Sequence, residues 1–533
     1  MVMRFGQVRS LPDFVREVAA EYGDATALCD RSGEQVLRYN DLPERMVRGA
    51  TTLRRRGVNH GAIVILVDAC PDWASVFFAV VEAGCIAVPL PVDTAVEAIG
   101  TVAAHTDARA IVYSPRFKSV VDKLPNLPAI GLDQFFADSA DLTSNPLCGD
   151  EVCLLSFTSG STQHPRAVEL THQSLLSNAE AVLRAREPNT GTAALSMLPP
   201  AHLFELVVGL LIPLACGARV VYAGTLLPNR VIDALREHQI SHAVAVPALV
   251  ECLFHEVAQQ LIDAGIGLDS GLDQSPQELV QRLSSDLTAD ELTQLKEDVR
   301  SRVGESLQSL VVGGASIDPA LAELVTMVGI KIEIGYGLTE AGPVVSMGVA
   351  GQAPWRSVGR PLPGIRVRIT EHGEILVRSP SCMRGYFRDD EATTGAFTDH
   401  WLHTGDRGHL DDDGYLYVDG RIKEAMVTGA GRTIYPEEVE PYYRSVLFEE
   451  WCVAGMAGRH GNDLPTLFVV PASDNYDLAQ LETEFQRLRA AAPAQCFVDQ
   501  MLVIRRLPRT PTGKVKRRFL VSHHDEAAGP PTK

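Results

Sequence analysis

At 533 residues the chain exceeds what a single hydrophobic core supports, so two or more domains are expected. A hydrophobic share of 46% and a charged share of 22% describe ordinary soluble globular material, which excludes a collagen-like or wholly disordered chain. The 67 acidic against 48 basic residues give a net charge of -19, which argues against nucleic acid or an anionic membrane surface as partner, so any phosphate must be held locally.

The ten cysteines are scattered, with no CxxC pair and no His nearby at zinc-ligand spacing, so buried free thiols are expected. No charged segment followed by an apolar signal stretch opens the sequence. The most apolar run, Leu206 to Cys216, is too short to span a bilayer and contains Pro213. The reading is a cytoplasmic protein with no stable membrane anchor.

From Leu11 to about Ser114, helix-like segments (Asp13 to Glu21, Tyr39 to Arg56) alternate with short apolar runs (Ala62 to Val67, Cys85 to Leu90), the rhythm of an α/β fold. The alternation returns between Ala194 and Ile334, where Val220 to Ala223, His242 to Val246 and Leu307 to Val312 read as buried strands. Residues 265 to 305, rich in Asp, Gln, Ser and Glu, read as a polar helical excursion or flexible insertion. After Pro361, Ile365 to Thr370 and Gly373 to Val377 predict a small antiparallel β region. The stretch from Gly420 onward has the size of a separate small domain, with a Gly-rich turn at 429–431, a Glu-rich helix from Glu437 and a basic segment near 514.

Five segments carry candidate chemistry. Phe157 to Thr162 follows the apolar run Val152 to Leu155, so a buried strand feeds a loop of hydroxyls and glycine able to wrap phosphate. Taken alone such a cluster is more often a plain turn, and it is not a Walker loop, because no Gly-Lys-Ser/Thr follows at the required spacing. Gly335 to Glu340 sets an aromatic face, a hydroxyl and a carboxylate after an apolar stretch, a set able to stack a base and help hold Mg²⁺, or simply a strand-end turn. His403 to Asp406 and Asp419 to Glu424 follow; an aspartate at a strand end can accept two ribose hydroxyls. Pro508 to Lys514 places a lysine on a Pro/Gly-framed turn before Lys516, Arg517 and Arg518, which also suits a solvated basic tail.

In order and spacing the five resemble the adenylate-forming superfamily of acyl-CoA synthetases, luciferases and peptide-synthetase adenylation domains, over nearly the whole chain. Leu198 to Glu205 and Gly431 to Glu440 look most like long-chain fatty acyl-CoA synthetases. The resemblance implies a large N-terminal domain of α/β subdomains plus a small β region (1–420), a hinge at 421–423, and a small mobile α+β C-terminal domain (424–533). It implies an acid-thiol ligase using ATP, Mg²⁺ and coenzyme A: a carboxylate attacks the α-phosphate, giving acyl-AMP and pyrophosphate, and a thiol then takes the acyl group.

Lys514, Glu340 and Arg166 are the implied catalytic residues, with Thr158 and Glu340 holding the metal. Thr158, Ser159, Gly160, Ser161, Thr162, Gly314, Ala315, Gly335, Tyr336, Gly337, Thr339, Asp406, Arg421 and Lys423 would bind the nucleotide. His202, Phe204, Val246 and Gly313 would meet the acid, and Gly429, Ala430 and Gly431 would line the path of the thiol. The acid is expected to be hydrophobic, fatty or bulky and polycyclic. The acceptor is CoA or an acyl carrier protein, with a separate thiolation enzyme as a rival and a non-catalytic acyl-nucleotide binding protein as a more distant one.

The phosphate loop departs from the resembled pattern Gly-x-Pro-Lys-Gly, carrying Gln163, His164, Pro165, Arg166 and Ala167 instead. Arg166 keeps the charge but not the shape of an ammonium, and Gln163 cannot take glycine's φ > 0 conformations cheaply. The departure points to a specialised enzyme, of secondary metabolism, rather than a housekeeping one.

Overall fold

A computed structural model describes residues 8–139, 147–158, 166–186, 193–247, 249–255, 276–285, 287–315, 317–349, 352–354, 356–429, 432–458, 462–473, 475–509 and 515–522. Two large sheets dominate the first part of the chain. Among the described residues nine strands form one sheet, in the order Arg360–Pro361, Ser346–Val349, Lys331–Tyr336, Ser309–Val312, His242–Ala245, Ala193–Ser196, Arg219–Tyr222, Thr26–Asp30 and Val36–Arg38. Its pairings are parallel from Lys331–Tyr336 to Thr26–Asp30 and antiparallel beyond each end. The inner strands are short and buried almost throughout, as a sheet covered on both faces requires.

The second sheet runs Gly385–Tyr386, Arg166–Thr171, Val152–Thr158, Ile86–Pro89, Ala62–Leu66, Ala110–Tyr113 and Ala129–Gly131. One core joins the two sheets: Leu28, Val220, Val244 and Val311 of the first cluster with Ile63, Ile65 and Leu154 of the second. Helices Pro71–Glu82 and His172–Ala185 fill the space between. Pro71–Glu82 is buried along almost its whole surface, which its run of Trp73, Val76, Phe77, Phe78, Val80 and Val81 explains. The apolar run noted in the sequence forms a wide π-helical segment, Glu205–Leu211, that continues as the α-helix Ile212–Ala215, and every residue in it is buried.

A smaller antiparallel sheet follows, ordered Arg366–Ile369, Glu374–Arg378, Trp401–Leu410 and Phe397–Thr398, with Leu416–Arg421 pairing along Trp401–Leu410. Residues from Met426 to Leu520 then supply two core clusters of their own. They flank the strands Phe448–Ala457, Asp463–Pro471 and Gln500–Val503 and the helix Leu478–Ala491. The fold is thus mixed α/β, with a large N-terminal part and a smaller, β-rich C-terminal one. No helix among the described residues is long and apolar enough to cross a membrane.

Two expectations need correction. The polar stretch 265–305 contains, in its described part, the helices Pro276–Ser285 and Ala289–Val303, and both are packed rather than excursive. Leu295, Val299 and Val303, spaced by four, join Leu279 and Leu283 in the core on the far face of the nine-stranded sheet. A capping box between Thr288 and Glu291 starts the second helix. The Glu-rich helix expected from Glu437 is a single turn, Pro436–Val439, tightening into a 3₁₀ turn at Glu440–Tyr443. Of the cysteines, Cys29, Cys85, Cys153, Cys216, Cys452 and Cys496 are buried as expected, whereas Cys148 and Cys252 are exposed.

Candidate active site

The C-terminal end of the strand Lys331–Tyr336 organises the site. Tyr336 is its last residue, and its hydroxyl donates to Asp406 Oδ2 at 2.8 Å. Asp406 lies on Trp401–Leu410 in direct register with Arg421, so the guanidinium falls beside the carboxylate, Nε 3.2 Å from Oδ1. The Asp406 side chain is only 6% exposed, and Tyr336 and Arg421 are among the groups that compensate its burial. Burial, then the Asp406 charge, holds the Tyr336 hydroxyl well above its ordinary range; it stays a donor at any ordinary pH. Thr404, whose Oγ1 donates to the Ile375 carbonyl at 2.7 Å, also accepts the Asp406 N–H at 3.1 Å and so pins the turn carrying the carboxylate.

Gly337 follows Tyr336 with no room for a side chain: a Cβ there would stand 1.9 Å from the Pro343 carbonyl oxygen. Glycine lets the segment fold back at once into the 3₁₀ turn Thr339–Ala341 that presents Glu340. Glu340 Oε1 accepts from the Tyr386 hydroxyl at 3.0 Å, and the Arg166 guanidinium carbon lies 5.2 Å from the centre of the Tyr386 ring. Arg166 Nε is also 3.6 Å from Asp389 Oδ2. Topology explains this meeting: Gly385–Tyr386 pairs antiparallel with Arg166–Thr171, and Arg166 stands opposite Thr158 in the hairpin that carries the loop between them. Ser159, Gly160, Ser161, Thr162 and Gln163 lie outside the described residues.

On the opposite side of Tyr336, Gly313 and Gly314 follow the strand Ser309–Val312. A Cβ on Gly313 would sit 2.9 Å from Phe204 Cζ and 3.4 Å from the Gly335 carbonyl oxygen, and one on Gly314 would be 3.8 Å from Val246 Cγ1. Phe204, Val246, Gly313 and Gly335 are therefore neighbours, with Ala315 next along the chain. His202 stands one short turn before Phe204; its Nε2 is buried without a hydrogen-bond partner, and burial lowers its pKa. Three residues on, Glu205 is 1% exposed. Neither of its oxygens has a hydrogen-bond partner, and burial pushes its pKa up to about 8, with Ser196 and the Leu198 backbone near enough to moderate the shift.

Lys423 is exposed in the 3₁₀ turn Ile422–Glu424 that follows Arg421, and its carbonyl accepts from Arg518 Nη2 at 3.4 Å. Gly429 is at the tip of the small hairpin formed by Met426–Val427 and Thr433–Ile434, near Asn462; Ala430 and Gly431 lie outside the described residues. So does Lys514, whose segment 510–514 is bracketed by a bridge between Arg509 and Val515. Arg517 beyond it is anchored to Glu424 at 2.7 Å, Glu437 at 3.2 Å and Glu440 at 2.8 Å. Across to the N-terminal part, Arg444 pairs with Asp318, just after the Gly313–Ala315 turn.

The structure thus brings Arg166, Glu340, Tyr336, Asp406 and Arg421 around one strand end, with Phe204, Val246 and Gly313 beside them. Reading the sequence missed Tyr386, which joins Arg166 to Glu340, and nothing local to Tyr386 signals the role: only strand pairing brings it there. Oxygen donors of the Thr158 and Glu340 type suit Mg²⁺. Among the described residues there is no group of three or more His, Cys, Asp or Glu that could hold a metal ion.

A model described as the AMP-binding enzyme family matches residues 15–387. The feruloyl-CoA synthase of an Amycolatopsis species is 29% identical over 529 residues, covering 93% of this chain and 96% of that protein. A long-chain-fatty-acid–CoA ligase of Mycobacterium bovis is 27% identical over 83% of this chain and 77% of that protein. Among solved structures, an o-succinylbenzoate CoA synthetase from Bacillus subtilis in complex with its acyl-adenylate intermediate has a TM-score of 0.79 at 21% identity, covering 95% of this chain and 97% of that one. This last likeness speaks for the fold alone.

Proposed function

Because the chain belongs to the AMP-binding enzyme family, we propose that it activates a hydrophobic carboxylic acid with ATP to an acyl-adenylate and then transfers the acyl group to the thiol of coenzyme A. The observation that carries this reading is the convergence of Arg166, Glu340, Tyr336 and the Asp406–Arg421 pair at one strand end, beside the apolar wall of Phe204 and Val246.

Each residue has a task matched to its surroundings. Asp406, oriented by Arg421 and Tyr336, accepts the ribose hydroxyls. Tyr336 supplies the aromatic face for the adenine. Arg166, steered by the Tyr386 ring and Asp389, faces the polyphosphate, with Ser159 to Thr162 as further donors from the loop. Glu340, one oxygen fixed by Tyr386, and Thr158 would hold Mg²⁺, which when bound offsets charge on the phosphates. Lys514 bridges carboxylate and phosphate oxygens as charge accumulates on the five-coordinate phosphorus; a fixed cation there stabilises the transition state more than the ground state.

Residues 421–423 serve as the hinge between domains 1–420 and 424–533. Rotation there removes Lys514 after adenylation and brings Gly429 to Gly431 towards the path of the thiol, so that one site serves two half-reactions. The test is acid-dependent pyrophosphate release across fatty, aromatic and terpenoid acids, repeated with CoA and with a phosphopantetheinylated carrier protein. Acyl-CoA formation supports the reading. Turnover with the carrier protein alone replaces the acceptor, and absence of pyrophosphate release with every acid overturns the activity.

A further inference from the structure

A cavity of about 50 Å³ lies between the π-helical segment and the inner face of the nine-stranded sheet. Val208 and Ile212 line it from the helix side, Val244 and Val311 from the sheet. Its position relative to the proposed acid site follows from strand geometry. Val244 and Val311 are two residues before Val246 and Gly313 on the same strands and belong to the core facing the helices, whereas Val312 belongs to the core behind the sheet. The cavity therefore begins about 7 Å below the level of Val246 and Gly313. The Phe204 ring, against Gly313, comes one turn before Val208, which lines the cavity.

The inner end of the cavity is polar. Arg186 and His242 line it there, four residues below Val246 on the same strand in the case of His242. Arg186 Nη2 is 2.6 Å from Glu333 Oε1 and 3.4 Å from Ser309 Oγ, and His242 Nδ1 is 2.9 Å from Ser241 Oγ. The Arg186 and Glu333 side chains are 16% and 4% exposed, so the cation is already neutralised in a dry setting. A second anion arriving there would have no uncompensated charge to meet and would lose its hydration. A neutral hydroxyl, by contrast, meets the Arg186 guanidinium as a donor in a fixed place, while His242, whose Nδ1 donates to a Ser241 hydroxyl that itself donates to the Ala193 carbonyl, has an acceptor at its other nitrogen. Burial, assisted by Arg186, lowers the His242 pKa to about 4, so the imidazole adds no positive charge at ordinary pH.

We propose that this cavity seats the distal end of the acid, and that the acid is a compact aryl carboxylate: one ring on a short linker, carrying a neutral hydrogen-bonding substituent that meets Arg186 and His242. The proposal rests on the acid-activating reading and narrows its substrate class. Size decides against a long alkyl chain or a polycyclic acid: an apolar cavity of about 150 Å³ is what takes up a whole benzene, so about 50 Å³ takes only the far edge of a ring and its substituent.

The test compares kcat/KM for pyrophosphate release with 3-(4-hydroxyphenyl)propanoate, 3-phenylpropanoate, 3-(4-carboxyphenyl)propanoate, hexadecanoate and propanoate. The hydroxyaryl acid should exceed its unsubstituted analogue by about tenfold or more, with the dicarboxylate and hexadecanoate weakest. In an Arg186→Met/Glu333→Leu variant, which replaces the buried pair by apolar groups of similar bulk, the hydroxyl advantage should vanish. Should that variant fail to fold, Val208→Phe fills the cavity and should turn preference from the aryl acids towards propanoate. Preference for hexadecanoate, or an unchanged acid ranking in Val208→Phe, overturns the proposal. Absence of pyrophosphate release with all five acids counts against the activity instead. Calorimetric binding of 3-(4-hydroxyphenyl)propanoate then still tests the cavity: loss of binding in Val208→Phe supports it, and equal or undetectable binding in both proteins overturns it.

Discussion

Glu205→Gln should make the protein more stable at neutral pH and flatten part of its stability profile. The carboxyl is buried with neither oxygen hydrogen-bonded, and its pKa rises from an ordinary 4.5 to about 8 on folding. A folded pKa above the unfolded one means that the folded state binds the proton more tightly. The contribution to stability is then complete below pH 4.5 and is lost as pH rises through about 8. At 1.36 kcal/mol per pH step, the gap corresponds to about 5 kcal/mol above pH 8.5, of which about 3 kcal/mol is already lost at pH 7. Glutamine has nearly the same shape and no charge to desolvate, so it should recover a substantial part of this, about 1–3 kcal/mol at pH 7. Urea unfolding of both proteins from pH 5 to 9 provides the assay. The difference in free energy should be near zero at pH 5 and widen steadily to pH 8. A difference that does not change with pH would show that Glu205 is either hydrogen-bonded or solvated in the folded protein, and would refute the reasoning.

Four further outcomes follow from the site. Lys514→Ala should slow adenylation by roughly 10² to 10³-fold while thioester formation from supplied acyl-AMP largely survives, and equal loss of both half-reactions would remove the assigned role. Asp406→Asn, which keeps the shape but not the charge that Arg421 and Tyr336 face, should lower kcat/KM for ATP by roughly 10- to 100-fold, read from initial rates at saturating acid. Arg517→Met strips the buried counter-charge from Glu424, Glu437 and Glu440 and should destabilise the C-terminal part by about 3–5 kcal/mol, seen as faster amide exchange within 426–520. Arg166→Ala should raise the KM for ATP, with Arg166→Lys milder but not neutral because an ammonium lacks the planar, multidentate shape of the guanidinium placed over the Tyr386 ring.

Much of this arrangement is legible in the residues because buried parallel strands leave a plain mark. The apolar runs Ala62 to Val67, Val220 to Ala223, His242 to Val246 and Leu307 to Val312 largely coincide with the strands Ala62–Leu66, Arg219–Tyr222, His242–Ala245 and Ser309–Val312, and the Gly335–Glu340 segment falls at a strand end. What escaped depends on contacts far apart in sequence. Tyr386 meets Glu340 only because a two-residue strand pairs with Arg166–Thr171, more than two hundred residues earlier. The helices within 276–303 were one of the readings of that stretch, but their packing was hidden by composition: in the second, many polar side chains surround three core residues spaced by four. Nothing in the sequence marks Glu205 as buried; the wide helical segment that begins there buries it. The Arg186–Glu333 pair likewise joins residues 147 positions apart and leaves no local pattern.

The Arg421–Asp406 pair gives the proposed rotation a fixed bearing. Arg421 ends a strand hydrogen-bonded to Trp401–Leu410 and is clasped by a carboxylate of that neighbour, while one residue later the backbone enters a short exposed turn. On the far side of that turn Glu424 is tied through Arg517 to Glu437 and Glu440 of the C-terminal core. Torsion entering the connection is therefore confined to the two residues between these clamps, Ile422 and Lys423, and little of it can leak into either flank. Arg421, which pairs with the residue proposed to meet the ribose, is thus the last rigid link before the proposed pivot. On the proposed assignment, strain that tilts the pivot would reach the nucleotide first, and a nucleotide held by Asp406 would stiffen the stationary side of the joint.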